Sequence, residues 1–251
     1  MKDEAVRHDA SRQMSVDQVL DLLTHGAIQT EGLLPWSSNY TFLATVSHNG
    51  ARSLAVYKPR RGERPLWDFP KGTLYLREVA TYVVSQTLGW FYVPPTVLRH
   101  GPNGVGSVQL YVDAEPEEHY FTLQDKYIDD FRYVAALDYV INNADRKSGH
   151  CLLGTDGRIW AVDHGVTFHT LPKLRTVIWE FAGQPIPKGI LDDLQQFVDR
   201  LAAGDPVYAT LMRLLADNEL NALRQRVRDL LQSRIFPYPD PNRRHMPWPP
   251  V

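Results

Sequence analysis

Two acidic residues frame the stretch DYVINNADRKSGHCLLGTDGRIWAVDHGVTFH, which runs from Asp138 to His169. Asp145 in NADR and Asp163 in AVDHG flank a short apolar hairpin, and such a frame can present two carboxylates to one pocket. Upstream, Lys58 ends an apolar strand beside Pro59, and Glu78 lies next to the apolar stripe of the following helix, where it could face that strand. Transfer of a phosphoryl group from ATP needs a cation on the nucleotide phosphates, a carboxylate near the attacking hydroxyl, and ligands for a divalent metal that neutralises developing charge. Lys58, Glu78, Asp145 and Asp163 supply these in a plausible order, and the ordered set is more specific than any member.

The elements that must position these residues are legible as pattern. Ser15 and Gln18 have capping-box spacing, and Val19, Leu20, Leu22 and Leu23 follow before Gly26, which predicts a packing helix. Three antiparallel strands are expected in AIQTEGLL and TFLATVSHNGARSLAVYKP, with His48-Asn49-Gly50-Ala51 as a hairpin turn. Between the first two strands, Pro35 to Tyr40 carries small polar residues that could turn N–H groups and hydroxyls toward an anion, without the glycines of a strong phosphate loop. Residues 60–73 read as a loop. Leu76, Val79, Ala80, Val83, Val84 and Leu88 then keep helical spacing up to a stop at Gly89. A turn-rich HGPNGVG leads to the strand SVQLYVDA and a polar connection that suits an inter-lobe hinge. A mostly buried helix is predicted between Asp129 and Asn143, with Asp129 or Asp130 as N-cap, and it delivers Asn142, Asn143 and Asp145 at its C-terminal end. Beyond His169 the chain reads as helical: one helix over Ile190–Leu201, a cap at Asp205-Pro206, and two more helices within Val207–Leu231. The tail FPYPDPNRRHMPWPPV is too rich in proline for regular structure, and Trp248 is expected to dock it on the body or on a partner.

Composition narrows the class. With 251 residues and 43% hydrophobic content the chain can bury a sizeable core, and a net charge of -2 gives no basic footprint for nucleic acid. The N-terminus MKDEAVRHDASRQ lacks the apolar core of a signal peptide and no apolar run suits a membrane span, so a cytoplasmic protein is expected. Cys151 is the only cysteine, which rules out an intrachain disulfide and argues against a cysteine-based zinc site.

DYVINNADR resembles the catalytic-loop segment of phosphatidylinositol 3- and 4-kinases, AVDHGVTF resembles their metal-binding segment, and LREVATYVVSQTLGWFYVPPTV resembles their glutamate-bearing helix and the strand after it. The match is closest to the type II phosphatidylinositol 4-kinase branch of the protein-kinase-like fold and the small bacterial proteins grouped with it, and it spans roughly 32–168. The resemblance implies an α+β, two-lobed fold: an N-terminal helical extension (1–26), an antiparallel-sheet N-lobe with one main helix (27–113), a mostly helical C-lobe (114–235) and a Pro-rich tail (236–251). It implies ATP with magnesium or manganese as cofactors. Lys58 would bind the α and β phosphates with Glu78 holding its ammonium, Asp145 would orient or deprotonate the acceptor hydroxyl, and Asp163 would bind the metal. Ser37, Ser38 and Asn39 would cover the phosphates, and the backbone of Gln109, Leu110, Tyr111 and Val112 would meet adenine.

Two positions depart from that family's pattern. Five residues after Asp145, where the family usually places a metal-binding asparagine, stands His150, which predicts a site that favours manganese or uses one magnesium directly. Lys147 also differs from the residues usual there. The acceptor is expected to be a protein or small-metabolite hydroxyl, ahead of a phosphoinositide, because VTFHTLPKLRTVIWEFAGQPIP offers only Lys173 and Arg175 to a phosphorylated headgroup. A nucleotide-binding pseudokinase, with the Pro-rich tail as partner contact, is the alternative of another class; a metal-dependent hydrolase on His150, Asp163, His164 and His169 is weaker. Asp138 is expected to anchor the catalytic loop, while Arg146 could brace that loop or meet a substrate anion. Trp36, Trp67, Trp90, Trp160 and Trp179 read as core or lobe-packing residues.

Overall fold

Ser15 and Gln18 close the expected capping box: Gln18 N–H donates to Ser15 Oγ at 3.3 Å and Ser15 N–H to Gln18 Oε1 at 2.9 Å. They start helix α1 (Val16–His25) in a computed structural model that describes residues 14–34 and 39–251. Val19, Leu22 and Leu23 of α1 pack with Val46, Tyr57 and Val108 of the sheet, so this helix shares the sheet's own apolar cluster.

The sheet contains β1 (Ala27–Leu33), β2 (Phe42–His48), β3 (Ala51–Pro59), β4 (Thr96–Gly101) and β5 (Gly104–Leu110), in the antiparallel order β1-β2-β3-β5-β4. The β2–β3 hairpin turns on Asn49 (φ 47°) and Gly50 (φ 82°), the two left-handed residues that a turn matching strand twist requires. Between β3 and β4 runs α2 (Leu74–Thr87), which ends at Gly89 with φ 72°.

The second lobe is built from α3 (Tyr120–Leu123), α4 (Ile128–Ile141), a two-stranded ribbon of β6 (Cys151–Leu153) and β7 (Ile159–Ala161), then α5 (Lys188–Arg200), α6 (Pro206–Leu211) and α7 (Asp217–Ser233). Asp205 caps α6, accepting Val207 N–H at 2.7 Å. The main apolar core joins α2 to this lobe: Val79, Val84 and Leu88 cluster with Phe131, Leu137, Phe197 and Leu223. Truncating one such side chain to alanine costs about 2–5 kcal/mol. The architecture is the expected α+β arrangement of a sheet lobe and a helical lobe.

Several local expectations need correction. β5 stops at Leu110, and the connector beyond it is pinned to the β6–β7 ribbon, with Thr155 N–H on Asp113 O and Glu115 N–H on Leu153 O, both at 2.9 Å. Helix α4 begins after Tyr127 with no side-chain cap; Asp129 and Asp130 fall inside its first turn, where carboxylates favour the helix dipole. Trp67 is 93% exposed, with the Lys173 ammonium 5.3 Å from its ring centroid, so it is not a packing residue; Trp36 lies outside the described residues. The tail docks on the helical lobe through backbone carbonyls: Ser148 N–H donates to Pro250 O at 2.9 Å, and Thr176 N–H and Trp179 Nε1–H both donate to His245 O at 3.1 Å. Trp248 takes no part in this and is 77% exposed.

Candidate active site

Lys58 is the penultimate residue of β3, and its register partner Ser107 on β5 fixes the direction of its side chain. Its ammonium donates to Glu78 Oε1 and, at 2.8 Å, to Asp163 Oδ1. Burial opposes the charge on Lys58, but Asp163 and Glu78 outweigh it and hold the lysine above its ordinary pKa. Lys58 in turn is the main reason that Asp163 is held well below the usual carboxylate range. Glu78, almost fully buried on α2, uses its second oxygen to accept His164 N–H at 3.0 Å. One helix carboxylate therefore fixes both the lysine and the backbone that follows Asp163.

Asp163 stands just past β7 with φ 61°, a left-handed conformation that costs roughly 1–3 kcal/mol and is tolerated where surrounding contacts over-determine it. Its side chain remains 51% exposed. His150 Nε2 lies 3.4 Å from Asp163 Oδ2, and burial pushes His150 down to about 4, so this is a neutral imidazole beside a carboxylate. His150 Nδ1 accepts Lys147 N–H at 3.4 Å, which leaves the ring proton on Nε2, pointing at Asp163. A hard oxygen with half-open access suits a divalent cation that brings its own phosphate and water ligands. Among the described residues no group of three or more His, Cys, Asp or Glu converges to hold a metal alone. His164 and His169 are engaged elsewhere: His164 Nε2 faces Arg146 Nη2 at 2.6 Å, and His169 Nδ1 accepts Leu171 N–H at 3.0 Å. The four-residue hydrolase site has no geometric basis.

Asp145 follows α4 on a loop whose every turn is tied down. Asn142 caps α4 in the left-handed region (φ 53°), donates to His169 O and Leu171 O, both at 2.8 Å, and accepts Lys173 N–H at 2.8 Å. Asn143 Oδ1 accepts Asp145 N–H at 3.0 Å, while its amide donates to Asp138 Oδ1 at 2.9 Å. Arg146 is fully buried; its Nε reaches both Asp138 oxygens at 3.1 and 3.0 Å, and its Nη1 donates to Val162 O at 2.9 Å. It braces the loop against the Asp163 segment, which resolves its role. Asp145 itself is raised to about 6, chiefly by burial and also by Asp163, against the pull of Lys147 3.6 Å away and of Arg175.

The remaining expected residues divide. Ser37 and Ser38 lie outside the described residues. Asn39 Oδ1 accepts Arg64 N–H at 2.8 Å, and its amide nitrogen has no partner among the described residues. Gln109 is buried and donates to Thr96 Oγ1 at 2.8 Å. Leu110 and Tyr111 amides are committed to Pro95 O at 2.8 Å and Leu54 O at 3.1 Å, whereas Val112 makes no backbone hydrogen bond among the described residues. Arg77 was not anticipated: it pairs with Glu219 of α7 and donates to Thr167 O, which ties α2 to the helical lobe next to the glutamate that holds Lys58. These partners lie 142 residues apart in sequence, and no local pattern announces them.

A family model described as phosphatidylinositol 3- and 4-kinase matches residues 99–205. The chain is 40% identical over 264 residues to Protein Rv2133c of Mycobacterium tuberculosis, a match covering 91% of this chain and 94% of that protein. It is 32% identical over 153 residues to phosphatidylinositol 4-kinase gamma 4 of Oryza sativa subsp. japonica, covering 47% of this chain and 27% of the rice protein. Among solved structures, the Golgi casein kinase with Mn/ADP bound superposes with a TM-score of 0.56 at 16% identity, over 91% of this chain and 80% of that one. The Helicobacter pylori proinflammatory kinase CtkA gives a TM-score of 0.52 at 14% identity, over 85% and 94% of the two chains. These structural likenesses show a kinase fold. The near full-length mycobacterial match shows that the chain belongs to one family with Protein Rv2133c, and within it residues 99–205 match the phosphatidylinositol 3- and 4-kinase model.

Proposed function

We propose that the chain is an ATP-dependent phosphotransferase that passes the γ-phosphoryl group to a hydroxyl of a protein or small metabolite. The observation that carries this reading is the single ammonium of Lys58 held between Glu78 and Asp163, with Asp145 on the adjoining loop. Lys58 would meet the α and β phosphates, the amide of Asn39 with Ser37 and Ser38 would cover them, and the uncommitted N–H of Val112 would meet the adenine edge. A divalent cation, when bound, would neutralise charge on the phosphates, with Asp163 as its protein ligand and His150 beside it. Asp145 would take the acceptor hydroxyl's proton as that oxygen bonds to the γ-phosphorus and ADP departs.

Lys173 supports a protein or metabolite acceptor over a phosphoinositide, because it is 2.7 Å from Asp68 and so is already neutralised. The Golgi casein kinase solved with manganese and ADP is consistent with such a cofactor set. Incubating the chain with labelled ATP and manganese, in parallel with lysate and with extracted lipid, tests the reading. Label should appear in the lysate arm and vanish in Asp145→Ala and Asp163→Ala; label only in lipid would overturn the acceptor assignment.

A scaffold that binds nucleotide without turnover is the second reading, and His150 favours it, since its Nε2 proton points at Asp163 where the family's asparagine would offer a carbonyl oxygen. Saturable ATP binding with no labelled product in either arm would establish it.

A further inference from the structure

Away from Lys58, Asp145 and Asp163, a cavity of about 480 Å³ opens where five segments meet: the α2–β4 connection, Tyr127, the first turns of α4, the β6–β7 turn and α5. Small-molecule sites commonly have roughly this size. Its wall is aromatic. Trp90 and Tyr133 are edge-to-face at 5.4 Å between centroids, and Tyr92 lies 6.0 Å from Tyr133. Two carboxylates share the lining with them. Asp193 Oδ2 accepts Trp90 Nε1–H at 2.8 Å and Asp130 Oδ1 accepts Tyr92 O–H at 3.0 Å. The other oxygen of each carboxylate has no hydrogen-bond partner, and neither residue forms an ion pair among the described residues.

The one cation in the lining, Arg158, is already engaged. Its guanidinium stacks 4.4 Å from the Trp160 centroid and donates to Phe91 O at 2.9 Å. The two carboxylates therefore outnumber it, and the phenols report the same negative field: burial and then Asp193 and Asp129 raise Tyr133, while burial and then Asp130 raise Tyr92 against Arg158. Aromatic faces with adjoining carboxylates attract a cation through the ring quadrupole and through charge at once.

We propose that this cavity is a second ligand site, taking a small organic ammonium ion against Tyr92 and Tyr133, which the buried Trp90 backs, with Asp130 and Asp193 balancing its charge. The ammonium belongs either to a free solute or to a lysine-type side chain of a partner protein. Both present the same chemistry. The site is independent of nucleotide chemistry, so its test stands whether or not the chain transfers phosphate.

Calorimetric titration of the full chain with choline chloride, and separately with a short peptide carrying trimethyl-lysine, examines both sources. Saturable one-to-one heat with either probe is expected, and the tighter of the two identifies the source. The double variant Asp130→Asn/Asp193→Asn keeps an oxygen acceptor for Tyr92 and Trp90, so its melting temperature should match wild type. Its affinity should fall about tenfold, the scale of losing the charges that face the ammonium while the aromatic contacts remain. The uncharged choline isostere 3,3-dimethylbutanol should bind at least as much more weakly. No saturable heat with either ammonium probe, unchanged affinity in the folded double variant, or equal affinity for the neutral isostere would each overturn the proposal.

Discussion

Lys58 Nζ stands 2.8 Å from Asp163 Oδ1, so a strand of the sheet lobe and the loop after β7 meet through one ion pair across the cleft. The pair is mutually dependent: Lys58 is the first cause of the low pKa of Asp163, and Asp163 the strongest charge holding Lys58 protonated. Lys58→Ala should therefore remove the phosphate contact and also leave two carboxylates, Asp163 and the buried Glu78, without their shared cation. Loss of an aimed charge of this kind costs about 10²–10³ in rate. Phosphorylation of the lysate acceptor should fall by that factor in Lys58→Ala, and a variant retaining wild-type turnover would refute the assignment.

Asp145 supplies a pH signature. Its pKa of about 6 means that the carboxylate needed to accept a proton forms as pH rises through that value, so kcat/KM should climb on a limb centred near 6. Lys147, Arg175 and Asp163 are the charges that set it, and Lys147→Met should move the limb upward by removing the cation 3.6 Å away. The stability sign is opposite to that of a salt-bridged aspartate. A carboxyl whose pKa is raised in the folded state favours folding while protonated, and that stability is lost as pH rises from the ordinary 3.8 to about 6. Metal-free Asp145→Asn should melt above wild type at pH 7, with the gap closing below pH 4. Thermal melts at both pH values check this.

The sequence made the parts of the site that are local or periodic legible. Lys58 at a strand end and Glu78 beside a helix stripe stand out locally, their pairing comes with the family resemblance, and NADR and AVDHG are joined by the hairpin between them. It could not show that Glu78 also holds His164 N–H, or that Arg77 beside it reaches Glu219, because those contacts depend on how the lobes close on each other. Trp67 misled because aromatic type argues for burial, whereas on the loop between Pro65 and Pro70 its ring is left exposed with the Lys173 ammonium over it. Trp248 was not what docks the tail on the body: the carbonyls of His245 and Pro250 do much of it, and backbone groups carry no residue signature.

The Asp138–Arg146 pair offers a stability test. Both side chains are fully buried, with Asp138 Oδ1 also accepting from Asn143 and Oδ2 from Thr176. Asp138→Ala leaves a buried guanidinium uncompensated, which should cost about 3–5 kcal/mol. Asp138→Leu/Arg146→Met should recover part of that loss while activity stays absent, because the loop bearing Asp145 keeps its packing but loses its brace. Urea midpoints of the single and double variants measure both effects.

The tail should show itself in amide exchange. Ser148 and Thr176 N–H groups are bonded only to tail carbonyls, at 2.9 and 3.1 Å. Deleting 239–251 should speed exchange at these two amides while amides within α4 stay protected, since α4 is buried in the main core. Equal exchange at Ser148 in both forms would show that the tail does not hold the catalytic loop in solution.

The choice of metal tests the role of His150. As a neutral imidazole with its proton on Nε2 it orients Asp163, and as a ligand it must shift that proton to Nδ1 and give up the 3.4 Å contact with Lys147 N–H. Nitrogen donors suit manganese better than magnesium, which holds to oxygen. Wild-type labelling should therefore be stronger with manganese. His150→Asn places a carbonyl oxygen there and should shift the preference toward magnesium by about tenfold, the lower end of what neighbouring groups contribute at metal sites. Activity titrated with each metal, for both proteins at the same ATP concentration, reads this directly. A wild-type preference for magnesium would refute ligation by His150 and leave it as the hydrogen-bond partner of Asp163.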